Sequence, residues 1–369
     1  MEYKVRFVDY PKQYKTMEKE LSSEILRVMA GGDFILRADV TKFEKSIADY
    51  LGVKYAVGTN SCTDAMHLAL LVCGIEKGKE VITVAHTFVA TVEAIVHCGG
   101  TPVLVDVGSD YNMNTDLIEK VITERTKMLM PVHLNGRVCN MDKIMKLAEK
   151  YDLLVVEDAA QAFGATFKGK KAGSFGIAGC FSLYPAKILG AAGDGGIVVT
   201  DNEDVADEIR LLRDHGRLNK EDIACYGYNS RLDNIQATIL NVKLKYVSQW
   251  IEKRRKLAKV YQEGLYDIPQ IKLPPAPSKG IYFDTYQNYV IQAERRDELA
   301  KYLLNAGIET IISWPKAMHQ QIGLHLKGYK LPITEALARE VISIPLIPEI
   351  SEQQVEYVIQ TIREFYDKE

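Results

Sequence analysis

Between residues 54 and 200 one pattern recurs, a short unbroken apolar run followed by a stretch with helical spacing. The runs at 54–57, 79–84, 102–105, 127–132 and 153–156 read as strands, and 65–72, 89–96 and 141–151 as the helices between them. A strand that is apolar without alternation is buried on both faces, which a parallel sheet covered by helices provides. The expected fold is therefore α/β, a mostly parallel central sheet with helices on both faces. Ligands of such sheets lie beyond the carboxyl ends of the strands. Phe88, His133 and Asp158 follow directly on those ends and are weighed first.

The 369 residues exceed the usual size of one domain. Ahead of the sheet, Met17, Leu21, Ile25 and Met29 mark a helix over 12–30, and 40–50 reads as a second. Behind it, helices over 204–213 and from 232 to about 264 precede a proline-rich segment at 268–277. The remainder reads as a small α+β unit, with strands at 288–292, 309–312 and 341–344 and helices at 297–306, 333–340 and 352–366. The expected division is a large α/β domain, 1–245, and a small C-terminal domain, 246–369, entered through the long connecting helix.

A net charge of -3 leaves no electrostatic footprint for nucleic acid or an anionic membrane, so a small-molecule substrate is expected. No apolar stretch approaches the length of a membrane span, and residues 1–10 lack the apolar core of a signal peptide. A cytoplasmic protein is expected. Six dispersed cysteines form no C-x-x-C pair, and neither His86 nor His133 has a partner at metal spacing, so both histidines are expected to be satisfied by hydrogen bonds.

The chemistry concentrates in 179–200, where the runs 180–184 and 197–200 flank a glycine-rich loop holding Lys187. Glycines there permit tight turns or close approach to a ligand, and a desolvated lysine is a nucleophile suited to Schiff-base formation. The same loop is compatible with a solvated lysine on a strand connection. Upstream, Ser61, Cys62 and Thr63 stand between a strand and a helix, where backbone amides and hydroxyls face an anion or simply cap the helix. Asp158 is either a strand-end cap or a functional carboxylate. Taken together, an anion turn at 61–64, an aromatic at Phe88, a carboxylate at Asp158, a hydroxyl at Ser182 and an amine at Lys187 meet the needs of pyridoxal 5'-phosphate (PLP), namely phosphate donors, a ring partner, an acid at the pyridine nitrogen and a lysine for the aldehyde.

The ordered motifs Phe43-Glu44, Asn60-Ser61-Cys62-Thr63-Asp64-Ala65, Thr87-Phe88-Val89-Ala90-Thr91, Pro102-Val103-Leu104-Val105-Asp106, Glu157-Asp158-Ala159-Ala160-Gln161, Phe181-Ser182-Leu183-Tyr184-Pro185-Ala186-Lys187 with Gly193-Asp194-Gly195-Gly196, and Tyr228-Asn229-Ser230-Arg231-Leu232-Asp233 resemble the DegT family of sugar aminotransferases over nearly the whole chain. The resemblance implies a fold-type I, PLP-dependent transaminase, a homodimer whose active sites are shared across the interface. It implies Lys187 as the residue that carries the cofactor as an aldimine and Asp158 as the partner of the pyridine nitrogen. Phe88 then stacks on the ring, Gln161 meets the phenolic oxygen, and Ser61, Cys62, Thr63 and Ser182 serve the phosphate, with Asn229 reaching it from the other subunit. Phe34, His133, Tyr184, Arg231, Trp314 and His319 fall on the substrate side.

The implied reaction is ping-pong transfer of an amino group from an amino acid, L-glutamate by family analogy, to a keto group of a nucleotide-linked keto-deoxysugar, in amino-sugar biosynthesis for lipopolysaccharide or other glycans. Tyr184 in place of a histidine matches the members that act at C3 rather than C4. This chain departs from the family at Cys62, commonly glycine, at Ile188, commonly asparagine, and at Ser313-Trp314-Pro315, commonly His-Tyr-Pro. The last two bear on the sugar rather than the cofactor. Alternatives are a keto-cyclitol acceptor, a sugar dehydratase, which carries histidine at position 187, and a non-catalytic regulatory protein that keeps the fold.

Overall fold

A computed structural model describes residues 3–367. Its centre is a seven-stranded sheet of β1 (Tyr55–Thr59), β2 (Glu80–Val84), β3 (Thr101–Val105), β4 (Thr126–Leu129), β5 (Leu154–Asp158), β8 (Ala178–Ser182) and β9 (Gly196–Thr200), in the order β1-β9-β8-β5-β4-β2-β3. Pairing is parallel from β8 through β3, and β9 alone runs antiparallel to both of its neighbours. The carboxyl ends of β1, β2, β5 and β8 therefore share one edge with the amino end of β9. Helices α3 (Cys62–Val72), α4 (Val89–His97), α5 (Met141–Tyr151) and α6 (Glu203–Arg213) cover the two faces, which explains why these strands read as unbroken apolar runs.

Two cores sit on the sheet's faces. One gathers Phe43 and Ile47 of α2 (Ala38–Leu51) with Ile82, Leu129, Phe181 and Leu240, and the other packs Met66, Leu70 and Ile95 against Val156 and Val198. A further core belongs to the C-terminal unit, where β10 (Ile271–Lys272), β12 (Tyr289–Ala293) and β13 (Val341–Ile344) form an antiparallel sheet under α9 (Arg296–Asn305) and α11 (Glu352–Tyr366). Val5 also belongs to that core, through a bridge to Ile308, although it lies at the start of the chain. A small ribbon of β6 (Thr166–Phe167), β7 (Lys170–Lys171) and β11 (Tyr282–Phe283), too short to leave a sequence signature, ties the two halves together.

Two expected elements are corrected. The single helix from 232 to about 264 is two, α7 (Asn234–Leu244) and α8 (Val247–Leu265). At the junction Lys245 and Tyr246 bond back to Val242 and Lys243, three residues away, so the ladder tightens and the helix is interrupted without glycine or proline. Ala237 and Leu240 of α7, with Val247 and Ile251 at the start of α8, face the large core, while Leu257, Tyr261 and Leu265 face the C-terminal one. The expected strand at 309–312 reduces to one bridge, Ile311 to Ser343. Among the described residues no helix is long and apolar enough to cross a membrane.

Candidate active site

The sheet edge opens into a cavity of about 490 Å³. Register builds it. Gly196, at the start of β9, pairs with Thr59 at the end of β1 and with Ser182 at the end of β8. Its missing side chain matters, because a Cβ there would lie 2.2 Å from the Ser61 carbonyl oxygen and 2.6 Å from the Cys62 amide. That close approach seats the first turn of α3 beside the loop that carries Lys187.

Ser61 caps α3, its Oγ accepting from the Asp64 amide at 3.1 Å, so the capping role weighed from the sequence is occupied. The Cys62 and Thr63 amides find no partner among the described residues and stand at the positive end of the helix on the cavity wall. Cys62 is buried, which pushes its thiol well above the ordinary value. It is a packed thiol and not a nucleophile.

Asp158 ends β5 and is 4% exposed. Its Oδ2 accepts from Thr91 Oγ1 at 2.7 Å and its Oδ1 from the Ala160 amide at 3.1 Å. Thr91 in turn accepts from Thr87 Oγ1 at 2.7 Å, so two hydroxyls one turn apart at the start of α4 form a directed chain onto the carboxylate. Burial pushes the carboxyl up from its ordinary value, while Thr91, Ala160 and the positive charge of Lys187 pull the other way. Burial pushes the Lys187 amine down, opposed by Cys62 and Asp158. Lys187 Nζ makes no hydrogen bond or ion pair among the described residues.

Phe88, just before α4, leaves 59% of its surface exposed, a flat apolar face toward the cavity. Gln161 accepts at Oε1 from the Asn135 amide at 2.9 Å, which leaves its amide nitrogen as the end free to donate. These features fit PLP: an unpaired amine, a buried hydrogen-bonded carboxylate, a bare aromatic face and an amide-lined helix start converge on one cavity.

The profile of the DegT/DnrJ/EryC1/StrS aminotransferase family matches residues 15–363. The chain belongs to this family. The aminotransferase is 39% identical over 367 residues to a pleiotropic regulatory protein of Geobacillus stearothermophilus, covering 98% of each chain. It is 38% identical over 370 residues to the dTDP-3-amino-3,4,6-trideoxy-alpha-D-glucose transaminase of Streptomyces venezuelae, covering 99% of this chain and 97% of that one. Among solved structures, S. venezuelae DesV in complex with a ketimine intermediate superposes with a TM-score of 0.95 at 37% identity, covering 99% of both chains. A Bacillus subtilis structure with bound cofactor PMP gives 0.91 at 30% identity, covering 98% of this chain and 85% of that one.

Of the residues singled out in the sequence, the cavity of the aminotransferase gathers Ser61, Cys62, Thr63, Phe88, Asp158, Gln161, Ser182, Tyr184, Lys187 and Trp314. Five do not line it. His133 is wholly buried behind Asp158, which corrects its assignment to the substrate side. Its Nδ1 accepts from the Cys139 amide at 3.1 Å, so the ring carries its proton on Nε2 and donates to Glu157 at 2.8 Å. Glu157 also collects the amides of Gly173, Phe175 and Gly176, a buried network that braces β5 from behind. His319 is directed to Glu335, and Phe34, Asn229 and Arg231 lie outside the cavity of the single chain, with Arg231 paired to Asp214. The expectation for His86 is also corrected: its Nδ1 has no partner among the described residues, and burial lowers the ring to about 4. It packs edge-on against Trp314, with ring centroids 5.4 Å apart.

Thr91 is a further site residue, inside the motif Thr87-Phe88-Val89-Ala90-Thr91. The signal was there: threonines at 87 and 91, one helical turn apart, beside a predicted strand end.

Proposed function

We propose that this aminotransferase binds PLP and moves an amino group from an amino acid, L-glutamate, to the C3 keto group of a nucleotide-linked keto-deoxysugar, acting as a homodimer. The observation that carries the reading is the convergence of Lys187 and Asp158 on one cavity with Phe88 and the start of α3. The names of the relatives support the sugar and the position, and Tyr184 fits them.

PLP supplies an aldehyde and an electron-withdrawing ring, which together acidify the Cα–H of a bound amino acid. Lys187 would hold the aldehyde, Asp158 the ring nitrogen, Phe88 one ring face, Gln161 the phenolic oxygen, and Ser61, Cys62, Thr63 and Ser182 the phosphate. Lowered by burial, Lys187 Nζ is populated as a free base nearer neutral pH than an ordinary lysine. It takes the proton from the donor's Cα and later returns one to the sugar's C3. The hydrogen bonds from Thr91 and Ala160 favour the carboxylate form of Asp158 against the cost of burial, and Asp158 would hold a proton on the ring nitrogen.

Lys187 is the single cation among the described residues lining the cavity, which has to receive both a phosphate and a donor carboxylate. Exposed Leu218, Ile223 and Tyr226 on the segment leading to Asn229 support a second copy docking there and bringing Asn229 and Arg231 to the cavity. The test is spectroscopic and chemical. Purified protein given PLP turns yellow, glutamate bleaches the band, and a nucleotide 3-keto-6-deoxysugar restores it while gaining one amine at C3 by NMR. A band that glutamate leaves unchanged, or an amine found at C4, contradicts the corresponding part of the proposal.

A further inference from the structure

Gln287 lies between β11 and β12, in the segment that carries Tyr286 and Tyr289 into the C-terminal core, yet its side chain reaches the lysine loop. Its Oε1 accepts from the Ile188 amide at 2.9 Å and its Nε2 donates to the Ala186 carbonyl at 2.9 Å. The peptide units on the two sides of Lys187 thus end on one carboxamide, and no other side chain among the described residues bonds to either. Lysine has a long flexible stem, so the placement of its amine depends on how firmly its backbone is anchored.

Gln287 is itself anchored. Buried Arg254, on α8, shares its Nη1 among the carbonyls of Tyr286, Gln287 and Leu346 at 3.1, 3.2 and 2.6 Å. Gly136, at φ +91°, fits so closely that a Cβ would fall 2.6 Å from the Tyr286 amide and 2.8 Å from that of Gln287. The Thr285 amide closes this contact by donating to the Gly136 carbonyl at 2.8 Å. Gly136 adjoins Asn135, whose amide holds Gln161. One short segment of the C-terminal unit therefore braces two walls of the cavity.

We propose that Gln287 is a positioning residue for Lys187, fixing both flanking peptide units so that the amine is held toward Asp158 and away from bulk water. The packing of the C-terminal core reaches the reacting amine through this side chain. A residue that only stapled the loop would change stability and leave the amine's chemistry as it was.

The test uses Gln287→Met, which keeps the volume and removes both hydrogen bonds, and Gln287→Asn, which keeps the carboxamide but is too short to span both peptide units. In cofactor-free protein, competitive acylation of lysines across pH, read by peptide mass spectrometry, gives the midpoint at which Lys187 becomes reactive. The charged and titratable groups that share the cavity with that amine are Asp158, Cys62, Asp194 and Tyr184, which both variants keep. The midpoint is expected to rise toward that of ordinary lysine in both variants. In the PLP-loaded enzyme, kcat is expected to fall by about 10- to 100-fold with KM for both substrates little changed. An unchanged midpoint in the folded variants, with kcat falling only as the folded fraction does, overturns the proposal. The inference rests on Lys187 being the reactive amine. Borohydride trapping in the wild type separates the two failures: no label on Lys187 defeats both, whereas a labelled Lys187 with unaltered variants defeats the positioning role alone.

Discussion

Asp158 is held in an environment whose burial disfavours its charged form. A carboxyl whose folded value is raised contributes stability below its ordinary value of 3.8 and loses it as pH climbs through the folded value, so near neutral pH the ionised group is a net cost. Asp158→Asn is therefore expected to move activity and stability in opposite directions. In cofactor-free protein near neutral pH, urea unfolding should show the variant to be the more stable, while kcat of the loaded enzyme falls by about 100-fold or more. A variant that loses both would mean that the carboxylate's hydrogen bonds outweigh its burial. At this scale much of the site was legible in the sequence, because amine, carboxylate, ring and anion turn are residue types whose joint presence has few uses. Thr91 and His133 mark its limit: hydrogen-bond direction and burial decide their roles, and neither is written in residue identity.

Elements place those residues, and two contacts do much of the placing. Gly196→Ala would drive a methyl into the backbone of Ser61 and Cys62, costing about 1–3 kcal/mol by overpacking and prising α3 from β9. Thermal unfolding together with PLP titration should show a lowered Tm and weakened cofactor binding. Full retention of both would mean that the strand shifts at no cost. On α7, Lys243 donates its amine to the Gly190 carbonyl at 2.7 Å, and burial lowers it from 10.5 to about 8. A base lowered on folding makes stability rise with pH between its folded and unfolded values, here from about 8 to 10.5. Lys243→Met should flatten the dependence of unfolding free energy on pH across that window, by up to about 3 kcal/mol over its whole width. The strands and most helices were readable because burial on both faces leaves unbroken apolar runs. The break between α7 and α8 was not, since Lys245 and Tyr246 keep helical dihedrals and the apolar spacing runs on through it.

Across the whole molecule, the site draws on distant parts of the chain. Trp314 enters the cavity at φ +53°, an unusual backbone state for a bulky residue, packed against His86 from the opposite half. Such long-range meetings have no local signature, so the sequence could flag Trp314 by its departure from the family but could not seat it. The proposed dimer has a direct consequence. If Asn229 and Arg231 serve the other subunit, mixing inactive Lys187→Ala protein with inactive Asn229→Ala/Arg231→Ala protein should restore about a quarter of wild-type activity after subunit exchange, since half the dimers are mixed and each holds one intact site. No recovery despite proven exchange would place both residues in their own subunit's site.

The side chain of Lys187 is proposed as the amine that captures the cofactor's aldehyde. Reducing PLP-loaded protein with borohydride and mapping the added mass by peptide sequencing tests this most directly. The mass is expected on the peptide spanning the lysine loop, at position 187, and is expected to vanish in Lys187→Ala. A label fixed at any other lysine, or none on a protein that binds PLP, would contradict it.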